Sequence, residues 1–333
     1  MSRVGVPSQL LRIGILSVVI ILGFNLKQSL AASQIKRESL GLAHYTMGLI
    51  YDWQGITDKA IAEYKKAIEF DFTSFSAHLR LGADYVKVGL LQEAVSEFKL
   101  ASKFNVEDLE SRYFLALLYT SLKKFDEANT QYETILKKVS QENPQNIQAF
   151  KYLGQLYFSQ NKFDEAIKQF KKILILEPKN VDALFFLASS YEEKGSRKEA
   201  IEFFKQAIKV NPKHADSLNS LGYLYAQEGL NLDEALSLIK AALEIDPQNS
   251  AYLDSLGWVY FKKGHYEEAL KELEKASKGL EDSEILNHLA QVYLKINEKE
   301  KARKAWLRSL ELNPQQSDLK DKLKDLEKPK INE

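Results

Sequence analysis

Cysteine is missing from this 333-residue chain. That excludes disulfides, thiolate metal sites and a thiol nucleophile, and it removes the acceptor that a bacterial lipid anchor requires. Net charge is missing as well, with 46 Lys and Arg against 46 Asp and Glu. Coating nucleic acid takes a surplus of cations facing phosphates, so no nucleic-acid partner is expected. The apolar stretch Ile13 to Phe24 stops short of the ~20 residues that span a bilayer comfortably. Phosphate-cradling glycine loops are also lacking, because the glycines recur at a fixed spacing. What remains, 45% hydrophobic and 28% charged, is the composition of an ordinary folded protein.

The scarce residues keep time. Among only 7 prolines, Pro178, Pro212, Pro247 and Pro314 are in phase with a pattern that returns about every 34 residues from Gly41 onward. A hydrophobic residue precedes a small one at Met47-Gly48, Leu81-Gly82, Leu115-Ala116, Leu153-Gly154, Leu187-Ala188, Leu221-Gly222, Leu256-Gly257 and Leu289-Ala290. Three residues after each small one stands a tyrosine, among them Tyr157, Tyr225 and Tyr260. Within residues 147–180, Phe150, Leu153, Gly154 and Tyr157 share one helical face; "FDEA" then opens a second helix with its own stripe of Phe163, Ala166, Ile167, Phe170 and Ile173. Pro178 stops that helix and Asn180 is suited to cap the next. A Gly inside a helix costs about 1 kcal/mol relative to Ala. Its return at Gly48, Gly82, Gly154, Gly222 and Gly257 implies a partner helix passing too close for a side chain, with Ala166, Ala200 and Ala269 filling the same role on second helices. Bulky residues such as Phe98, Phe170, Phe204, Ile239 and Trp306 are expected opposite.

These positions resemble the tetratricopeptide repeat, and residues 218–276 look especially like exported bacterial members of that family. The resemblance implies an all-α fold, a right-handed α-α superhelix (solenoid) of about eight helix-turn-helix units plus a C-terminal capping helix. The units fall at about 41–74, 75–108, 109–146, 147–180, 181–214, 215–249, 250–282 and 283–316, within an array over 41–316. The third gains a short insertion at Gln141 to Pro144 and the sixth one residue in its turn, both expected as loop variation. Residues 317–328, apolar only at Leu319, Leu323 and Leu326, suit the capping helix; 329–333 form a tail.

Residues 1–32 stand outside the period. Arg3 and Arg12, the apolar stretch and the small residues Ser29, Ala31 and Ala32 form the pattern of a secretory signal. Lys27 sits oddly between that stretch and a cleavage site near Ala31 or Ala32, and Lys27, Lys36 and Arg37 blur the charge asymmetry that orients a span; an uncleaved N-terminal anchor is the alternative. In that second case residues 13–24 are the only membrane contact. Residues 33–40 are a linker or the start of the array. Either reading exports the array, and the expected location is periplasmic or tethered to the inner membrane facing the periplasm.

Family resemblance also places a binding wall on the first helices. Carried onto this sequence, the partner-binding residues are Tyr45, Tyr113, Lys151, Gln155, Phe185, Asn219, Tyr223, Asp254, Trp258, Asn287 and Gln291, with Leu49, Leu79, Leu117 and Ser189 beside them. Tyr223 and Trp258 are expected to be exposed, because Leu221, Tyr225 and Leu256 fill the neighbouring packing slots. Aromatics supply area and amides pair with a backbone, which suits an extended peptide or a helix. The carboxylate clamp of chaperone-binding relatives is not expected, since Lys151 and Asn219 lie two units apart without its other members. No catalytic, cofactor or metal site is expected: the five histidines do not converge, and acidic pairs such as Glu267-Glu268 start helices. The expectation is a non-enzymatic scaffold or adaptor for a protein partner at the cell envelope. A self-associating spacer, hence a homo-oligomer, and an accessory subunit of an envelope-assembly, glycosyltransferase or peptidoglycan enzyme complex are the alternatives.

Overall fold

In a computed structural model the chain is described over residues 8–327. Side chains are described for 27, 28, 30–316 and 318–326. The first residues of the expected export segment, Arg3 among them, and the 329–333 tail lie outside that range. Seventeen helices and no strand occur among the described residues. Eight hairpins take up sixteen of them: α1 (Ser8–Trp53) with α2 (Thr57–Phe70), α3 (Phe75–Lys87) with α4 (Leu91–Phe104), α5 (Glu110–Ser121) with α6 (Phe125–Glu142), and α7 (Ile147–Ser159) with α8 (Phe163–Leu176). There follow α9 (Val181–Glu193) with α10 (Arg197–Val210), α11 (Ala215–Glu228) with α12 (Leu232–Ile245), α13 (Ser250–Lys263) with α14 (Tyr266–Gly279), and α15 (Ser283–Lys295) with α16 (Lys299–Leu312). The last helix, α17 (Ser317–Glu327), lays Leu319 against Trp306 and Ala302 and so covers the exposed end of α16. The chain is an all-α solenoid, divided into two compact bodies, one through Val139 and one from Ser140.

Each hairpin is built the same way. The N–H five residues after each repeat tyrosine donates to that tyrosine's carbonyl, as in Lys162 to Tyr157 at 2.8 Å and Leu230 to Tyr225 at 2.9 Å. This closes the first helix with a wrap that needs one left-handed residue. Gly229 (φ 66°) supplies it without steric cost, whereas Lys123 (φ 58°) occupies the same place in the third repeat. Entry into the next repeat is capped by side chains: Asn180 Oδ1 accepts from the Ala183 N–H at 2.9 Å, and Asn146 from Ala149 at 3.0 Å.

The small residues sit where the two helices cross. A Cβ on Gly154 would stand 2.8 Å from the Phe170 ring, and one on Gly222 would stand 2.6 Å from Ile239 Cγ1. Ala166, Ala200 and Ala269 are fully buried, as are Phe98, Phe170, Phe204 and Ile239. Between repeats, the stem of a second-helix lysine covers the next repeat's tyrosine. Lys65 lies over Tyr85, Lys99 over Tyr119, Lys171 over Tyr191, Lys205 over Tyr225 and Lys240 over Tyr260, each 5.5–6.0 Å from the ring centre.

One expectation changes. The insertion at 141–144 is not loop variation: α6 runs on to Glu142, 18 residues against 14 in most second helices, so the added chain becomes helix before Pro144. Residues 33–40 are helical and continuous with the first repeat helix, and the Arg37 guanidinium donates to the Glu69 carbonyl at 3.2 Å. Among the described residues no helix is long and apolar enough to cross a membrane.

Candidate functional site

In the C-terminal body the first helices α11, α13 and α15 lie side by side, and a cleft of about 310 Å³ opens on their face. Asn219 and Tyr223 reach it from α11, Asp254 and Ser255 from α13, and Asp282 and Glu284 from the start of α15. The face curves enough for the Tyr223 hydroxyl to donate to Glu284, two repeats away, past α13. Burial first, and then the Glu284 carboxylate, hold the Tyr223 phenol well above its ordinary range. Asp282 caps α15, its Oδ1 accepting from the Glu284 N–H at 2.7 Å. Behind the cleft, His288 Nδ1 lies 3.0 Å from Asp254 Oδ1, and the His288 ring stacks on Trp258 at 4.1 Å between centres. Asp254 and His288 are 6% and 5% exposed, so this is a buried pair joining adjacent repeats.

The predicted wall therefore divides. Asn219, Tyr223 and Asp254 come together on one cleft. Trp258 does not face solvent: it is only 8% exposed, clamped between His288 and Phe261, because the curved face brings α15 over it. Tyr223 is half-buried rather than fully open. Asn287 spends its side-chain oxygen on the Trp306 indole N–H at 3.0 Å, and the Gln291 amide leans on that same oxygen. Lys151 is paired with Asp182 at 2.6 Å, Gln155 is half-buried, and Phe185 packs on Phe186 and Phe204. In the N-terminal body, Tyr45 rests half-buried against Tyr64 and Leu79 is buried, while Tyr113 is 51% exposed. Sequence reasoning missed Asp282, Glu284 and His288. The period itself carried a signal for the last, since Asp254 and His288 are 34 residues apart and share one slot in neighbouring repeats.

His44 and His78 each meet a glutamate of their own hairpin, Glu63 and Glu97, at 2.6 Å. Near the first hairpins, Lys87 bridges Asp52 and Asp84 at 2.7 Å each; burial pushes the Asp84 carboxyl up to about 6, and Asp52 adds to it. Among the described residues no group of three or more His, Asp or Glu is placed to hold a metal ion.

The family profile described as Cilia and flagella-associated protein 70 C-terminal domain matches residues 115–330, and the profile Tetratricopeptide repeat matches residues 42–73. The chain belongs to the tetratricopeptide-repeat family. No curated protein matches it in sequence. Among solved structures, the APC/C hetero-tetramer Cut9–Hcn1 is similar at 18% identity over 82% of this chain and 53% of that one, with a TM-score of 0.57. This chain thus spans about half the length of that relative, and at this identity the likeness speaks for the tetratricopeptide solenoid alone. MamA protein is 26% identical over 51% of this chain and 91% of that one, with a TM-score of 0.41. YrrB, titled a TPR protein with an unusual peptide-binding site, is 23% identical over 58% and 96%, with a TM-score of 0.37. These two superpose too loosely to add to the argument. A tetratricopeptide array is an architecture of protein–protein interaction, and the cleft is a place on this one where polar groups of three successive repeats converge.

Proposed function

We propose that this tetratricopeptide protein is a non-enzymatic scaffold at the cell envelope, holding an extended segment or helix of a partner protein on its first-helix face. The observation that carries the reading is the convergence of Asn219, Tyr223, Asp254 and Glu284, from three repeats, on one cleft. Groups spaced by whole repeats suit an elongated ligand that runs across the helices. Export is supported by the basic, apolar and small-residue order of residues 1–32, which precedes the array. The location is periplasmic, or tethered to the inner membrane with the array facing the periplasm.

A photo-crosslinking amino acid at Leu280, half-exposed on the cleft rim, tests the reading in the native host against the same group at Ile175, which is 79% exposed on α8. The expected result is a defined partner adduct at Leu280 and none at Ile175. No adduct, or the same adducts at both sites, refutes the groove. Protease accessibility in intact and permeabilised cells tests the location: an array digested only after inner-membrane rupture would refute export.

A further inference from the structure

The cleft is one-sided in its chemistry. Asp282 and Glu284 present carboxylates, Asp254 lines the cleft with both its oxygens turned to His288, and Asn219 brings an amide oxygen that is buried and has no hydrogen-bond partner among the described residues. Asp282 and Glu284 accept bonds from the Glu284 N–H and the Tyr223 hydroxyl, yet an ionised carboxylate keeps further lone pairs beyond one such bond. No Lys or Arg lines the cleft.

The polarity extends along the face in a chain that is neutral overall. Helices α9 and α11 carry Asp182, Glu192, Glu193, Asp216 and Glu228 and no Lys or Arg. In α13 and α15 the only lysines, Lys262, Lys263 and Lys295, stand in the last turn. Lys263 is taken up by Asp233, and Lys262 lies over Trp258 at 5.1 Å and reaches the Gln227 carbonyl. Burial pushes the Glu192 carboxyl up to about 7, with Glu193 and Glu284 acting in the same direction against Arg197. Asp182 is balanced by Lys151 and Glu228 by Arg197, so the unbalanced acid on this face is that of the cleft itself, Asp282 and Glu284.

We infer that this cleft takes the cationic end of an arginine or lysine side chain from the partner segment, held between Glu284, Asp282 and the orphan amide oxygen of Asn219. The inference rests on the scaffold reading above and names what the groove selects. Charge-assisted hydrogen bonds in a partly dry cleft are stronger than neutral ones, and a guanidinium offers five donors to a lining made of acceptors. The volume suits one long side chain with its adjoining backbone.

Fluorescence anisotropy on the full chain tests it with a fluorescein-labelled Gly/Ser peptide carrying arginines and a twin bearing neutral citrulline at the same positions. The variant is Glu192→Gln/Glu284→Gln, which removes the Glu284 charge and the titrating Glu192 carboxyl while leaving Tyr223 an acceptor. The control is Glu267→Gln/Glu268→Gln, on the exposed first turn of α14. Wild type and control should prefer the arginine peptide by about tenfold or more, and the cleft variant should lose most of that preference at unchanged helical content. Equal binding of the two peptides overturns the cationic pocket while leaving a charge-blind groove standing. A preference that survives in the cleft variant, or is lost in the control as well, places the selectivity elsewhere and also overturns it. Failure of both peptides to bind rejects the pocket too, and the adduct at Leu280 then decides the scaffold reading separately.

Discussion

Replacing Gly222 with leucine is the sharpest test of how each hairpin is packed. A Cβ there would stand 2.6 Å from Ile239 Cγ1 and 3.0 Å from the Ala235 carbonyl oxygen. Ile239 is fully buried and Ala235 contributes backbone, so neither can yield into solvent. Alanine adds one methyl, which recovers about 1 kcal/mol of helix propensity against an overpacking cost of about 1–3 kcal/mol. Its net effect should be a loss of about 1 kcal/mol. Leucine adds three more carbons at the same closed crossing and should cost about 3 kcal/mol or more. Hydrogen exchange reads this locally: a 3 kcal/mol loss speeds exchange through local opening on the order of a hundredfold. Amides of α11 and α12 should show it, while α3 and α4, remote in a quasi-one-dimensional array, should not. A Gly222→Leu protein with the wild-type urea midpoint and unchanged exchange in α11 would mean that the crossing is not where the geometry puts it.

Trp258→Ala should destabilise by about 3–5 kcal/mol in urea unfolding, because it empties a buried site between His288 and Phe261; wild-type stability would contradict that burial. Lys123→Gly should raise stability by about 0.5–1 kcal/mol, since it relieves a side chain held at positive φ where the first two repeats use Gly55 and Gly89; a lower melting temperature would refute the strain. Glu192 has its pKa raised from 4.5 to about 7 in the folded chain, so the native state keeps a proton that the unfolded chain releases. Its contribution to stability is present below pH 4.5 and is lost as the pH rises through about 7, and Glu192→Gln should flatten that part of the melting profile. An unchanged slope would show that Glu192 is better solvated than its surroundings imply.

Within one hairpin the pattern was readable because its partners are local. Gly154 and Phe170 are 16 residues apart in a unit that repeats, so spacing alone set them face to face. Asn180 as a cap and α17 as a cover followed from residue type at a helix boundary. What escaped depends on curvature. Trp258 occupies the helix face that a single-helix reading assigns to solvent, yet residues Tyr252 to Val259 of α13 are all buried, since neighbouring first helices converge over that face. The same convergence brings Glu284 to Tyr223 from 61 residues away, a distance no local spacing encodes. The extra turn of α6 was hidden differently: Gln141 and Glu142 are polar and precede a proline, which reads as loop, but both continue a helix that Pro144 ends.

The lysine laid over the next repeat's tyrosine makes five of the joints one standard coupling. Lys205 would find in Tyr260 the same partner it now has in Tyr225, because the two rings occupy one slot in successive repeats. A whole repeat can therefore be excised, or a copy spliced in, without leaving a mismatched seam on that surface. Across those joints such a chain can change length by duplication while the coupling is kept, and the reach of the protein becomes a quantity that evolution, or an engineer, adjusts in steps of one hairpin.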